Sequence, residues 1–174
     1  VNLKRSLSVA AFLCLSLLAD LVPVRIAAAA APAGEKFFNF ADQYVEIEAG
    51  MFHGASKGGV GIEVQLTPQA GWKLCASNSS SVRPLRLKLL ANKCLKEKSA
   101  PYYPPPDLGV TDDSGAYSEY YTKTAALRQE YSRLKCAPQK KDVAGVVTVT
   151  YLLCQDNKCV GPFSREIKFR AAGK

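Results

Sequence analysis

Val146-Val147-Thr148-Val149-Thr150-Tyr151-Leu152-Leu153-Cys154-Gln155-Asp156-Asn157-Lys158-Cys159-Val160-Gly161-Pro162-Phe163-Ser164-Arg165-Glu166-Ile167-Lys168-Phe169-Arg170 decides the fold. Its first run, Val143–Leu153, is almost all β-formers, so it reads as a strand. Its last run, Phe163–Arg170, alternates. Ile167 and Phe169 share one face, and Glu166, Lys168 and Arg170 share the other, the period of a half-buried strand. Asp156, Asn157 and Gly161 supply turn chemistry between the runs, so the two strands form a hairpin. Cys154 ends the first strand and Cys159 lies near the start of the second. Residues facing each other across a hairpin have Cα atoms about 5 Å apart, within disulfide range. The ring so closed is small, and its bridge is worth about 2 kcal/mol. Two readings stay open. Spacing alone favours a structural staple, as in most exported domains. A short bridge at an exposed hairpin tip also suits exchange, because an incoming thiolate needs access along the S–S axis.

The same alternation recurs upstream. Tyr44–Ala49 places Val45, Ile47 and Ala49 on one face, and Val60–Leu66 does so with Val60, Ile62, Val64 and Leu66. Trp72–Ala76 follows the Gln69-Ala70-Gly71 turn, and Pro84–Leu90 alternates Leu85, Leu87 and Leu89 with Arg86 and Lys88. Pro101–Pro106 cannot lie inside a sheet, because proline lacks the ladder donor. Thr111–Gly115 is loop chemistry. Tyr117–Leu134 is mixed: Ala125 to Glu130 favour helix locally, and Tyr117, Tyr120, Tyr121 and Tyr131 favour strand. It is read as strand. Short strands punctuated by turns imply an all-β chain folded as an antiparallel β-sandwich.

The 174 residues suit one domain, and 48% hydrophobic with 22% charged residues excludes wholesale disorder. Lys4 and Arg5, the apolar run Leu7–Ala19, and the small-residue stretch Ala27–Ala31 follow the order of a secretory signal peptide. The apolar run is short for a membrane span, which needs about 20 residues. Residues 1–31 are therefore expected to be a cleaved leader, 32–59 an N-terminal extension with the first strand, and 60–174 the sandwich domain. Removing Lys4, Arg5, Arg25 and Asp20 leaves 20 basic and 14 acidic side chains, a charge of +6 over 143 residues. The cations are scattered, so the bland reading is a solvated surface, with steering toward an acidic partner the sharper one. Nucleic acid is not an expected partner of an exported chain. Five cysteines remain after the leader, and an odd number leaves one without an intrachain bridge. His53 is the only histidine, so neither zinc nor a Cys–His nucleophile is expected.

Several segments, in order, resemble a known family. Gly71-Trp72-Lys73-Leu74, Pro84-Leu85-Arg86-Leu87, Tyr103-Pro104-Pro105-Pro106, Ser118-Glu119-Tyr120-Tyr121 and Val149–Cys154 with Cys159-Val160-Gly161-Pro162 look like the N-terminal periplasmic domain of the thiol:disulfide interchange protein DsbD. The likeness runs over about residues 60–170. It implies an immunoglobulin-like β-sandwich in the periplasm. It also implies a redox-active pair, Cys154 and Cys159, that takes electrons from a membrane donor and passes them to thioredoxin-like proteins, a protein-disulfide reductase chemistry without cofactor or metal. It further implies a shielding loop over the pair, which falls on Thr111–Tyr121 with Asp112, Asp113, Tyr117 and Tyr121 as its candidates. The chain departs from the pattern in three places. Asp113-Ser114-Gly115-Ala116 occupies the position of an aromatic cap residue, Cys75 stands where tyrosine is common, and Cys94 and Cys136 are extra and are candidates for a structural bridge. No transmembrane donor follows within the 174 residues, so that donor is expected to be a separate protein. Lys158 beside Cys159 favours thiolate there, which makes Cys159 the expected reactive sulfur. The competing reading is a non-catalytic immunoglobulin-like binding or assembly module whose bridge only secures a hairpin.

Overall fold

A computed structural model describes residues 36–53, 59–77, 84–135, 142–156 and 158–171. The leader assignment and Cys136, with its candidate bridge to Cys94, lie outside those residues. The strands are β1 (Lys36–Ala41), β2 (Val45–His53), β3 (Val60–Pro68), β4 (Lys73–Ser77), β5 (Arg86–Leu89) and β6 (Leu95–Glu97). They continue with β7 (Leu108–Thr111), β8 (Tyr117–Tyr121), β9 (Ala125–Arg133), β10 (Val143–Gln155) and β11 (Lys158–Ala171). Among the described residues there is no helix, and hence none long and apolar enough to cross a membrane.

Alternation decides which side of each strand is buried. In β10, Val143, Val147, Val149, Tyr151 and Leu153 are buried and point inward. In β3, Val60, Ile62, Val64 and Leu66 do the same, and in β9 so do Ala125, Leu127, Gln129 and Tyr131. These inner faces meet as the core of an all-β, immunoglobulin-like sandwich of two antiparallel sheets. The first sheet runs β1-β2-β3-β9-β6; the second runs β11-β10-β4-β8-β7, with β5 also paired to β10. β2 is paired with β3 from Val45↔Pro68 to His53↔Val60, so the first sheet begins well before residue 60.

Three findings refine the sequence reading. Tyr117–Leu134 is extended, yet it is two strands in different sheets, joined through Thr122–Thr124. The helix-formers Ala125, Ala126 and Leu127 sit in a strand because Ala125 and Leu127 face the core at period two, and burial outweighs local propensity there. Thr111 closes β7 and is not loop. The turn that follows is held by Asp112, whose carboxylate accepts from the Ser114 and Ala116 backbone N–H groups. The Pro-rich segment stays out of both ladders except for one bridge, Tyr102↔Arg128. It crosses from the first sheet to the second, where the Pro104 carbonyl accepts from the Tyr121 hydroxyl at 2.7 Å and the Tyr103 hydroxyl accepts from Leu87 N–H at 3.1 Å.

Candidate functional site

The site is the tip of the β10–β11 hairpin. Both strands continue past the cysteines: Cys154 pairs with Cys159 and Gln155 with Lys158, and the turn follows at Asp156. Asp156 has φ 49°, the left-handed region that two-residue hairpin turns require and that Asp tolerates. The connection expected over 154–162 is shorter, because the ladder runs on through Cys154↔Cys159 to Gln155↔Lys158.

A register shift puts the two sulfurs together. From Val143↔Ala171 to Tyr151↔Phe163 the hairpin pairs without a break. Beyond it, Leu153 pairs with Val160, so β11 spends one residue more than β10 over that interval. Gly161 sits in this bulge with φ 113°, a conformation that only glycine takes up without strain. Continued without the bulge, the register would set Cys154 opposite Val160 and turn Cys159 inward beside Gln155. With it, both cysteines lie on the outer face and bond, at Cα–Cα 4.0 Å.

The two sulfurs have different surroundings. Cys159 is exposed on edge strand β11, whereas Cys154 is only 3% exposed although it points away from the core. Its other cross-strand partner is Lys73, which pairs with it directly from β4. Directly opposite residues have Cβ atoms about 5 Å apart, so the Lys73 stem lies alongside Cys154. Lys73 is half-buried, and its ammonium stands 5.9 Å from the centroid of the Tyr120 ring. Cys75, two residues along β4 from Lys73 and on the same face, is paired with Tyr120 and buried. Burial pushes its thiol up to about 11.

Beneath the hairpin lies an aromatic chain. Phe163 packs on Tyr151 at 5.6 Å between ring centroids and stacks on Tyr44 at 5.9 Å, and Tyr44 meets Trp72 edge-on at 4.8 Å. These rings fix the base of the cysteine hairpin, as large aromatics do in sandwich cores. The turn before β4 touches the tip as well: a Cβ at Gly71 would come within 2.9 Å of the Gln155 amide nitrogen.

The residues expected to shield the pair are dispersed. Along the second sheet, Cys154 is level with Lys73, and Leu74 in turn pairs with Tyr121 at the end of β8. Tyr117 begins β8, at the opposite end of that strand, roughly 13 Å along it from Tyr121. Asp112 and Asp113 stand beyond Tyr117, in the β7–β8 turn. Hydrogen bonds from Ser114 and Ala116 hold the Asp112 carboxyl below its ordinary range. Tyr117 lies over Gly109 of its own hairpin and is 53% exposed. Tyr121 is near the cysteine level but turns inward and is buried. Lys73 and Tyr120, to which sequence reasoning gives no site role, do lie on the cysteine face. Their signal is legible only once β4 is paired with β10.

Neither a family model nor a curated protein matches the chain. Among solved structures it is similar to the N-terminal periplasmic domain of ScsB from Proteus mirabilis, with a TM-score of 0.54 and 13% identity. The alignment covers 80% of this chain and 52% of that one, so this chain spans about half the length of its structural relative. The likeness supports a DsbD-like fold. The yeast GGA1 GAE domain-P21 structure aligns over 76% of this chain and 94% of its own, with a TM-score of 0.37 and 7% identity.

Proposed function

We propose that this chain is an exported thiol–disulfide exchange domain whose Cys154–Cys159 bond carries an electron pair between a donor dithiol and thioredoxin-like proteins, residues 1–31 being its leader. The observation that carries this reading is the asymmetry of the bond: an exposed Cys159 on an edge strand, and a buried Cys154 that is paired in register with Lys73. A donor thiolate attacks Sγ of Cys159 in line with the bond. The S–S bond breaks, and its electron pair leaves on Cys154 as a thiolate. The Lys73 ammonium, cross-strand from Cys154, favours that leaving thiolate. The donor's second thiolate then attacks its own sulfur in the mixed disulfide and releases Cys159. The donor is now oxidised and this chain is a dithiol. Toward a client the steps run in reverse roles: the Cys159 thiolate attacks the client disulfide, and Cys154 attacks Cys159 to re-form the bond and free the client as a dithiol. Two electrons and two protons pass in each half, with no cofactor or metal. The cover expected over the pair is assigned in this reading to Lys73 and Tyr120, not to Asp112, Asp113, Tyr117 and Tyr121.

Trapping tests the proposal. A Cys154→Ser chain retains the exposed sulfur and loses the resolving one. It is expected to accumulate a mixed disulfide with a thioredoxin-like protein whose resolving cysteine is replaced by serine and whose remaining cysteine is activated with thionitrobenzoate, the leaving group that Cys159 displaces; the adduct is seen as a mass shift that dithiothreitol reverses. No adduct at Cys159 under conditions that trap other exchange proteins would sink the reading. The burial of Cys154 also suits the competing function, an immunoglobulin-like binding module with a structural bridge. That module would carry a bond resistant to the glutathione pool.

A further inference from the structure

The outer faces of the two sheets differ in charge balance. Glu46, Glu48, Glu63 and Glu130 point outward from the first sheet. Three of them are held in ion pairs, Glu48 with Lys36, Glu63 with Arg128 and Glu130 with Lys98. That face is close to neutral. The second sheet is different where it carries the disulfide. Even-numbered residues of β10 point outward, and their register partners share that face. Thr150 aligns with Arg86 of β5, Thr148 with Lys88 of β5 and Glu166 of β11, Val146 with Lys168, and Ala144 with Arg170. Cys154 and Cys159 emerge on this same face beside Lys73. The face thus sets five cations against one carboxylate, and Lys88 and Lys168 are exposed.

We propose that this face is the docking surface for the redox partner, and that the partner surface around its reactive cysteine is acidic. The proposal rests on the exchange reading above and adds the chemistry of the partner. Size allows it. The Arg86 level lies roughly 13 Å along β10 from Cys154, and the Lys168 level roughly 26 Å. A standard interface of about 800 Å² per partner spans that distance. A partner seated on the cations therefore brings its thiol to Cys159 without leaving the patch. Like-signed charges at this density also exclude basic partners and raise the encounter rate of acidic ones.

Two measurements test it. The first compares the second-order rate of reduction of Cys154–Cys159 by an acidic thioredoxin with that by dithiothreitol, whose thiolate has no protein surface to dock. In the wild-type chain the ratio of the two rates is expected to fall as salt rises to about 0.5 M. In a Lys88→Glu/Lys168→Glu chain at low salt it is expected to fall about tenfold. An unchanged ratio, with exchange still proceeding, overturns the docking surface and leaves the exchange reading intact. The second uses a Cys154→Ala/Cys159→Ala chain, which cannot exchange, and follows backbone amide shifts on adding the same thioredoxin. Shifts on β5, β10 and β11 that salt abolishes support the surface even if no electrons pass. Shifts elsewhere, or none, overturn it.

Discussion

Cys159 faces Cys154 because β11 carries one more residue than β10 between the Tyr151↔Phe163 and Leu153↔Val160 pairs. The disulfide is thus a property of the strand register and not of the five-residue separation alone. One bulge converts an inward position into an outward one and places a sulfur at the sheet edge.

Removing the bulge by shortening β11 should keep the bond. Deletion of Pro162 takes out the extra residue, so Leu153↔Val160 and Cys154↔Cys159 follow Tyr151↔Phe163 in an unbroken register. The deleted chain is expected to show no more alkylatable thiols than the wild type by mass spectrometry without reductant. Two additional thiols in that chain would contradict the register argument.

Gly161 should resist substitution. Its φ is 113°, and a Cβ there would come within 2.9 Å of the Phe163 backbone nitrogen. Gly161→Ala is expected to lower stability by about 1–3 kcal/mol in urea denaturation. An alanine variant as stable as the parent would show that the backbone reshapes without cost.

Lys73 should lower the thiol pKa of Cys154. In a Cys159→Ser chain, Cys154 is a lone thiol cross-strand from the ammonium. Replacing Lys73 with Met removes the charge that favours thiolate, so the Cys154 thiol should titrate at higher pH. Lys73→Arg should restore it. Absorbance of the thiolate near 240 nm against pH reads the shift directly, and an identical titration in the Met chain would remove Lys73 from the mechanism.

Cys75 gives the chain an alkaline limit. Its thiol titrates near 11 when folded, against 9.0 for the free group. The raised value means that the folded state holds the proton longer than the unfolded one. The Cys75 contribution is fully present below pH 9 and declines as pH rises toward 11. Alkylation of native Cys75 at pH 8 should be slow, since only about one molecule in a thousand carries the thiolate there. Labelling as fast as in urea would show that the site opens.

The hairpin, the sandwich and the cysteine pair were legible because each rests on alternation or on turn chemistry that one chain displays. Val147, Val149 and Tyr151 announce their strand, and Asp156-Asn157 its turn. Other strands carry no such mark. Lys36–Ala41 packs only part of one side, Leu95–Glu97 is three residues long, and Leu108–Thr111 contains a glycine and a threonine before an acidic turn. The bulge at Gly161 is silent in composition, because a slip of one residue changes partners without changing residues. The environment of Cys154 was hidden for a related reason: Lys73 is 81 residues away in sequence, and only the β4–β10 pairing makes it a neighbour. The shielding loop was placed by resemblance to Thr111–Tyr121, a segment whose far end the sheet register carries away from the sulfurs.

The most direct test of the central claim is the reduction potential of the Cys154–Cys159 couple, measured by equilibration in dithiol redox buffers with thiol trapping. An exchange bond with an exposed sulfur should lie above roughly −300 mV. A potential well below that value would mark the bond as a structural staple and contradict the account.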